Sequence, residues 1–352
     1  MLCPACSSPG ALWTLCLFKL AYRCAGPVDR YGEFHAIRLK IWSGCCPMES
    51  IFISELSRNV SRVGIGSLKF SPEFANETAK LLDTYRALGG NLVDTAEIYG
   101  RGRSEQAIGQ YLQETNSRSD WIILTKACVD IDLVRPDYIR RAVPKSLDRL
   151  KTDYIDLFVL HRDDPNVPVG EIVDVLNELI GERLVRAFGG SNWTPKRLHE
   201  AQVYANAHAL AGPCLSSPHL GLATPREPTW AGCTHATRAD LNWYEDQGLP
   251  VFGWSAQCRG FFAAESGPTN TSNPDLVRVY HSPDNFEKLA RARELARQRG
   301  VEPVQIAVAW VLNQRATTVA LIGPNSVNEL QVAVGGANIT LNSEEIAWLE
   351  LR

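Results

Sequence analysis

Eight short β-branched or apolar runs, separated by longer amphipathic stretches, constrain this chain more than any other feature. They are "RVGIGS" from Arg62, "NLVDT" from Asn91, "WIILTK" from Trp121, "YIDLFVL" from Tyr154, "LVRAFGG" from Leu184, "PCLSS" from Pro213, "LPVFGW" from Leu249 and "TVALIG" from Thr318. Between most of them apolar residues recur three and four positions apart, as at Leu81, Leu82, Tyr85 and Leu88, or at Ile172, Val175, Leu176 and Leu179, which is the helical period. Strands that are apolar on both faces and alternate with helices belong to a parallel sheet covered on both sides. Eight such units predict an α/β fold of the (β/α)8 TIM-barrel type rather than a doubly wound sheet.

With 352 residues and 45% hydrophobic residues, the chain can bury the core such a barrel needs. Lys and Arg number 36 against 39 Asp and Glu, a net charge of -3, and no basic block stands out. Nucleic acid is therefore not an expected partner, and a small molecule is. No run approaches the roughly 18 apolar residues of a membrane helix. The stretch "ALWTLCLFKLAY" resembles the apolar part of a signal peptide, but no basic segment precedes it and Lys19 interrupts it, so a cytoplasmic protein is expected. Six of the ten cysteines fall before residue 47, and Cys3 and Cys6 have zinc-like spacing without a second ligand pair nearby. Residues 1–47 are expected to be a disordered extension or to lie outside the domain, which would run over 48–352. Two segments rich in Pro, Gly and Thr, Pro218 to Thr237 and Gln257 to Pro283, are expected to be long loops over the active site. Pro144 should start a turn or kink its helix, and "SEEIAWLELR" should form a short last helix.

In a barrel of this type the chemistry gathers at the C-terminal ends of the strands. Asp94 ends the second run, Lys126 the third, His161 follows the fourth, Ser191 and Asn192 the fifth, Ser217 closes the sixth, Trp254 ends the seventh and Gly323 the eighth. Tyr99 lies in the loop after Asp94. Each of these residues alone is commonplace at a strand end. Together on one rim, Asp, Tyr, Lys and His make a proton-transfer device: the ammonium is expected to stabilise the phenolate and bring Tyr99 below its ordinary value of about 10, with Asp94 holding Lys126 charged and in place.

These residues, in "NLVDTAEIYGRGRSEQAIG", "ILTKA", "DLFVLHRDD" and "RAFGGSNW", resemble the aldo-keto reductases over about Arg62 to Ala337. The resemblance implies carbonyl reduction by hydride from a nicotinamide cofactor lying across the barrel mouth, NADPH by family habit with NADH as the alternative. It implies Tyr99 as general acid, Lys126 and Asp94 as its tuning pair, and His161 as the group that orients the carbonyl oxygen. Ser191 and Asn192 would bind the nicotinamide carboxamide, Trp254 would stack on its ring, and Ser67, Ser217, Ser255, Gly323 and Asn325 would complete the cofactor contacts. Trp193 and Trp230 would wall the substrate; the sequence names neither that substrate nor the oligomeric state of the protein. Three departures stand out: "SPHL" replaces a Gln-x-x-Tyr segment, Asn325 with Glu329 stands where a basic residue often meets the 2'-phosphate, and little chain remains to fold over the substrate. A cofactor-binding regulatory subunit resembling the potassium-channel β subunits is the other reading, and the intact Asp94, Tyr99, Lys126 and His161 favour the enzyme. A zinc hydrolase would need several His or Asp ligands at strand ends, where His161 is the single His.

Overall fold

The computed structural model describes residues 48–352. The expected extension, its cysteine pair and its signal-like run lie outside the described residues. All eight apolar runs become strands of one closed parallel barrel: β3 (Val63–Gly66), β4 (Leu92–Asp94), β5 (Ile122–Ala127), β6 (Ile155–Leu160), β7 (Val185–Ser191), β8 (Ser216–Ser217), β9 (Val251–Gly253) and β10 (Thr318–Ile322), with β10 paired back onto β3. Before them comes an antiparallel hairpin the run pattern did not announce, β1 (Ser50–Ile53) and β2 (Arg58–Ser61). Its Ile53, Leu56 and Val60 are buried with the side chains of the barrel interior, so the hairpin supplies apolar surface to the inner core.

Because successive side chains on a strand point to opposite faces, each barrel strand divides between two cores. Ile123, Phe158, Phe188 and Val251 join the outer core beneath the helices, whereas Leu92, Leu124, Val159, Ala187, Leu215, Phe252 and Leu321 fill the lumen. Continuing the inward parity by two residues, or by four on β7, where Gly189 intervenes, arrives at Asp94, Lys126, His161, Ser191, Ser217, Trp254 and Gly323. The polar rim is thus the next inward layer above an apolar plug. Ser67 has the other parity, shared with Val63 and Ile65 in the outer core.

Two expectations are corrected. The helix Pro136–Leu150 runs on through Pro144, so of the expected turn or kink the turn does not occur. An interior proline costs about 3 kcal/mol, but Ile139, Val143, Leu147 and Leu150 are all buried on the helix face, and burial of each large apolar side chain contributes about 1.5–3 kcal/mol. The segment after β9 is not all loop: it contains the short helix Pro274–Tyr280, started by Asn273, whose side chain accepts from the amides of Asp275 and Leu276. The segment 218–237 does lack regular elements and is pinned by single bridges from His219 to His235 and to Trp254. The C-terminal helix is Ser343–Leu349. Among the described residues no helix is long and apolar enough to cross a membrane.

Candidate active site

Asp94 and Lys126, on adjacent strands with Asp94 paired to Leu124, form an ion pair in which both side chains are almost fully buried. The Lys126 ammonium also donates to the Thr95 carbonyl at 3.0 Å. It lies 5.3 Å from the centroid of the Tyr99 ring, and the ring meets His161 edge-on at 6.0 Å and 77°. Four residues from three strand ends and one loop are therefore brought into one cluster.

Tyr99 needs an unusual turn to get there. Gly100, Arg101 and Gly102 all have positive φ (57°, 57° and 88°), and Gly102 leaves space that a Cβ would contest with Arg149, whose Cδ would be 2.6 Å away. The turn is tied down by Glu105, fully buried, which accepts from Arg149 Nε at 2.6 Å and from Thr125 Oγ1 at 2.5 Å. Glu97 accepts from the Cys128 amide at 3.0 Å and from the Tyr138 hydroxyl at 3.1 Å. The "GRGRSE" stretch is thus a clamp for the loop that carries the phenol, a role visible once Glu105 is seen facing β5.

Burial pushes the Tyr99 hydroxyl above its ordinary value, and the pull of Lys126 only partly offsets it, with Asp94 adding to the rise. This corrects the expected lowering: desolvation outweighs the ammonium. Lys126 itself is held above its ordinary value, since Asp94 and Tyr99 together outweigh the effect of burial. His161 is pushed well below 6.5, first by burial and then by Lys126 and Arg162, so its ring is neutral at pH 7. Its Nδ1 is buried without a partner among the described residues, and a proton on Nε2 leaves only a lone pair unsatisfied there.

Around this cluster the residues expected to hold a dinucleotide divide into those that fit and those that do not. Ser191 Oγ donates to the Ser217 carbonyl at 2.7 Å, and the Asn192 amide donates to the His161 carbonyl at 3.0 Å and to Ser191 Oγ at 3.1 Å, while its Oδ1 accepts from the Thr234 amide at 3.1 Å. One lone pair remains on each of Ser191 Oγ and Asn192 Oδ1, which suits the NH2 of a primary amide. A donor to that amide's carbonyl would have to be Ser217 Oγ, turned from its 2.8 Å bond to the Phe252 carbonyl. Trp254 presents a half-buried indole with Trp230 at 6.0 Å and 37° on it, and its Nε1 is buried without an acceptor. Ser255, in a left-handed conformation (φ 63°), and Gly323, whose amide donates to Gln257 Oε1 at 2.9 Å, border the same rim. Farther out, the Asn325 amide and side chain both donate to Glu329 at 2.8 Å, so a carboxylate occupies the donors a phosphate would use.

Two expected residues stand elsewhere. Ser67 is fully buried, with its hydroxyl donating to the Asp94 carbonyl at 2.9 Å and facing Ser104, so it steadies Asp94 instead of reaching a cofactor. Trp193 is sealed in the outer core, its indole packed against Gly190 and donating to the Arg162 carbonyl at 3.1 Å. It offers no wall to a substrate, because its position is two beyond Ser191 in a chain that has already turned outward at Asn192 (φ 60°). Trp230, about half exposed, keeps its place at the rim.

Sequence reasoning also missed a support beneath Trp254. His219 contacts that indole edge-on at 4.7 Å, shares a 2.9 Å Nδ1–Nδ1 hydrogen bond with His235, and bonds the Tyr280 hydroxyl through Nε2 at 2.7 Å. Burial lowers His219 to about 3 and His235 to about 4. Both rings are therefore neutral at pH 7, and the short contact requires that one Nδ1 donate to the bare Nδ1 of the other.

The profile of the Aldo/keto reductase family matches residues 61–350. The chain is similar to the aldo-keto reductase str7 of Strobilurus tenacellus, 29% identical over 300 residues that cover 83% of this chain and 85% of the relative. It is also similar to the aldo-keto reductase YhdN of Bacillus subtilis (strain 168), 28% identical with 85% and 91% covered, and to the versiconal hemiacetal acetate reductase of Aspergillus parasiticus, 28% identical with 86% and 96% covered. A crystal structure of the aldo-keto reductase from Klebsiella pneumoniae in complex with NADPH shares the fold, with a TM-score of 0.68 at 21% identity over 86% of this chain and 94% of that one.

Proposed function

The chain belongs to the aldo/keto reductase family, and from that premise we propose that it reduces an aldehyde or ketone to the alcohol with Tyr99 as the general acid and NADPH as cofactor, NADH being accepted as well. The observation that carries this reading is the Asp94–Lys126 pair set 5.3 Å beneath the Tyr99 ring, with a neutral His161 against it. When bound, the dinucleotide supplies the hydride. Ser191, Asn192 and Ser217 would hold its carboxamide, Trp254 its ring, and Ser255, Gly323 and Asn325 its outer end.

What the protein's own residues contribute follows from charge. Arrival of hydride puts negative charge on the carbonyl oxygen, and the site needs donors aimed there. His161 Nε2–H donates without itself being acidic enough to ionise. The Tyr99 hydroxyl, raised by burial, keeps its proton until the oxygen becomes a strong base, then delivers it. The Lys126 ammonium stabilises the phenolate left behind, and Asp94 keeps that ammonium charged in a dry pocket.

The test is Tyr99→Phe. Carbonyl reduction is expected to fall roughly 10²- to 10⁴-fold, while quenching of tryptophan fluorescence on titration with NADPH and, in parallel, NADH stays nearly unchanged. Turnover that survived the substitution would overturn the role given to Tyr99, and failure to bind either dinucleotide would overturn the reductase reading.

A further inference from the structure

Arg162 follows His161 directly and is only 7% exposed. Its Nε donates to the Ala231 carbonyl at 3.0 Å and one Nη to the His161 carbonyl at 2.8 Å. The other Nη has no acceptor among the described residues, yet it is not among the polar atoms sealed from solvent without a partner. It therefore keeps some contact with solvent. No carboxylate among the described residues comes within 4.0 Å of the guanidinium. The two acids next in sequence are engaged elsewhere: Asp163 pairs with Arg197 at 2.9 Å, and Asp164 accepts from the Asn166 amide at 3.0 Å and from its side chain at 2.9 Å.

A buried cation without a counter-charge is costly, and the other buried cations here avoid that cost. Lys126 has Asp94 and Arg197 has Asp163. Lys288 has no carboxylate within 4.0 Å among the described residues, but its Nζ donates to the Leu222 carbonyl at 3.1 Å and to Thr224 Oγ1 at 2.8 Å, and burial lowers its pKa, a response a guanidinium does not share. Arg162 is also held rigidly. Trp193 fixes its carbonyl at 3.1 Å, and Gly232, at φ 72°, passes so close that a Cβ there would lie 3.0 Å from Arg162 Cδ. The loop that clasps it, residues 230 to 232, is the one that carries Trp230 to the rim beside Trp254.

We propose that Arg162 is the recognition residue for a carboxylate on the carbonyl substrate. The deduction rests on the reductase function proposed above and narrows its substrate class to carbonyl compounds with a negatively charged oxygen group near the reacting carbon. The remaining Nη is free to donate to a carboxylate, a charge-assisted hydrogen bond, and one cation balances one negative charge. Its field also reaches the reaction centre, where it lowers the proton affinity of both His161 and Tyr99.

The experiment compares 4-formylbenzoate with its neutral methyl ester under NADPH, using the wild-type chain, Arg162→Met and Arg162→Lys. Wild type should favour the acid in kcat/KM. Arg162→Met should lose roughly 10- to 150-fold more on the acid than on the ester, the span expected for hydrogen bonds to a charged group, mainly through KM; Arg162→Lys should recover part of that difference. Equal losses on both substrates, carried by kcat, would make Arg162 a support for the His161 backbone and overturn the proposal. Should Arg162→Met not fold, wild-type inhibition by benzoate against benzamide decides: tighter inhibition by benzoate supports the role and equal inhibition overturns it. NADPH binding with ester reduction but no preference for the acid brings down only the Arg162 role, whereas no NADPH binding and no reduction of either substrate brings down the reductase function and the proposal together.

Discussion

Acidification should loosen the platform under Trp254, and the size of the effect can be worked out from His219 and His235. Both rings are neutral in the fold, with pKa values of about 3 and about 4 against 6.5 in the unfolded chain. The sign follows directly: a base whose folded pKa is depressed binds its proton preferentially when unfolded, so stability is lost as pH falls below about 6.5 and the loss levels off near pH 3–4. Between pH 7 and pH 5 each isolated ring would account for about 1.9 kcal/mol, from 0.59 kcal/mol multiplied by the change in the logarithm of the two proton-binding polynomials. The rings share a 2.9 Å hydrogen bond, so part of the effect is common, and roughly 2–4 kcal/mol is expected for the pair. Other buried groups contribute to the pH dependence as well, the lowered His161 in the same direction and the raised carboxyl of Glu97 in the opposite one. The assay therefore takes a difference: urea unfolding at pH 7 and pH 5, followed by tryptophan fluorescence, for wild type and for the double variant His219→Asn, His235→Asn. The double variant should be less stable at pH 7, because His219 also bonds Tyr280, but should lose about 2–4 kcal/mol less on acidification than wild type. If both proteins lost the same amount, the two rings would not be neutral partners in the fold, and the reasoning would fail.

Two further outcomes are expected. Lys126→Met should abolish reduction by pushing Tyr99 still higher, and should destabilise the fold by about 3–5 kcal/mol because Asp94 is left buried and unpaired; adding Asp94→Asn should restore stability in urea unfolding but not turnover, and recovery of both would contradict the tuning role. Glu329→Gln removes the carboxylate that occupies the Asn325 donors, so the KM ratio of NADH to NADPH should move toward NADPH by roughly 3- to 10-fold, and an unchanged ratio would mean that the phosphate does not approach this turn.

The number and order of the barrel strands were legible in the chain, because doubly buried strands must be continuous apolar runs and such runs are hard to conceal. Asp94, Lys126 and His161 were legible for a related reason: each is the next inward-facing residue after a lumen-filling one, so a polar residue there must line the mouth. The same parity, applied strictly, would have moved Ser67 to the outer face. The β1–β2 hairpin was not legible, since four-residue strands carry little periodicity, and neither was the continuity of the helix through Pro144, where local preference was overruled by packing against neighbours far away in sequence.

The sequence by itself determined the barrel, the polar residues Asp94, Tyr99, Lys126 and His161 that gather at its mouth, and the absence of a basic residue near Glu329, because these depend on residue type and on spacing along one strand or loop. Only the tertiary structure decided that burial outweighs Lys126 at Tyr99, that Trp193 is sealed in the core, that His219 and His235 brace Trp254, and that Arg162 has no counter-charge among the described residues. Each of those depends on desolvation and on partners from distant segments, such as Ala231 against Arg162 or Tyr280 against His219, and no local pattern records how much water a group loses when the chain closes around it.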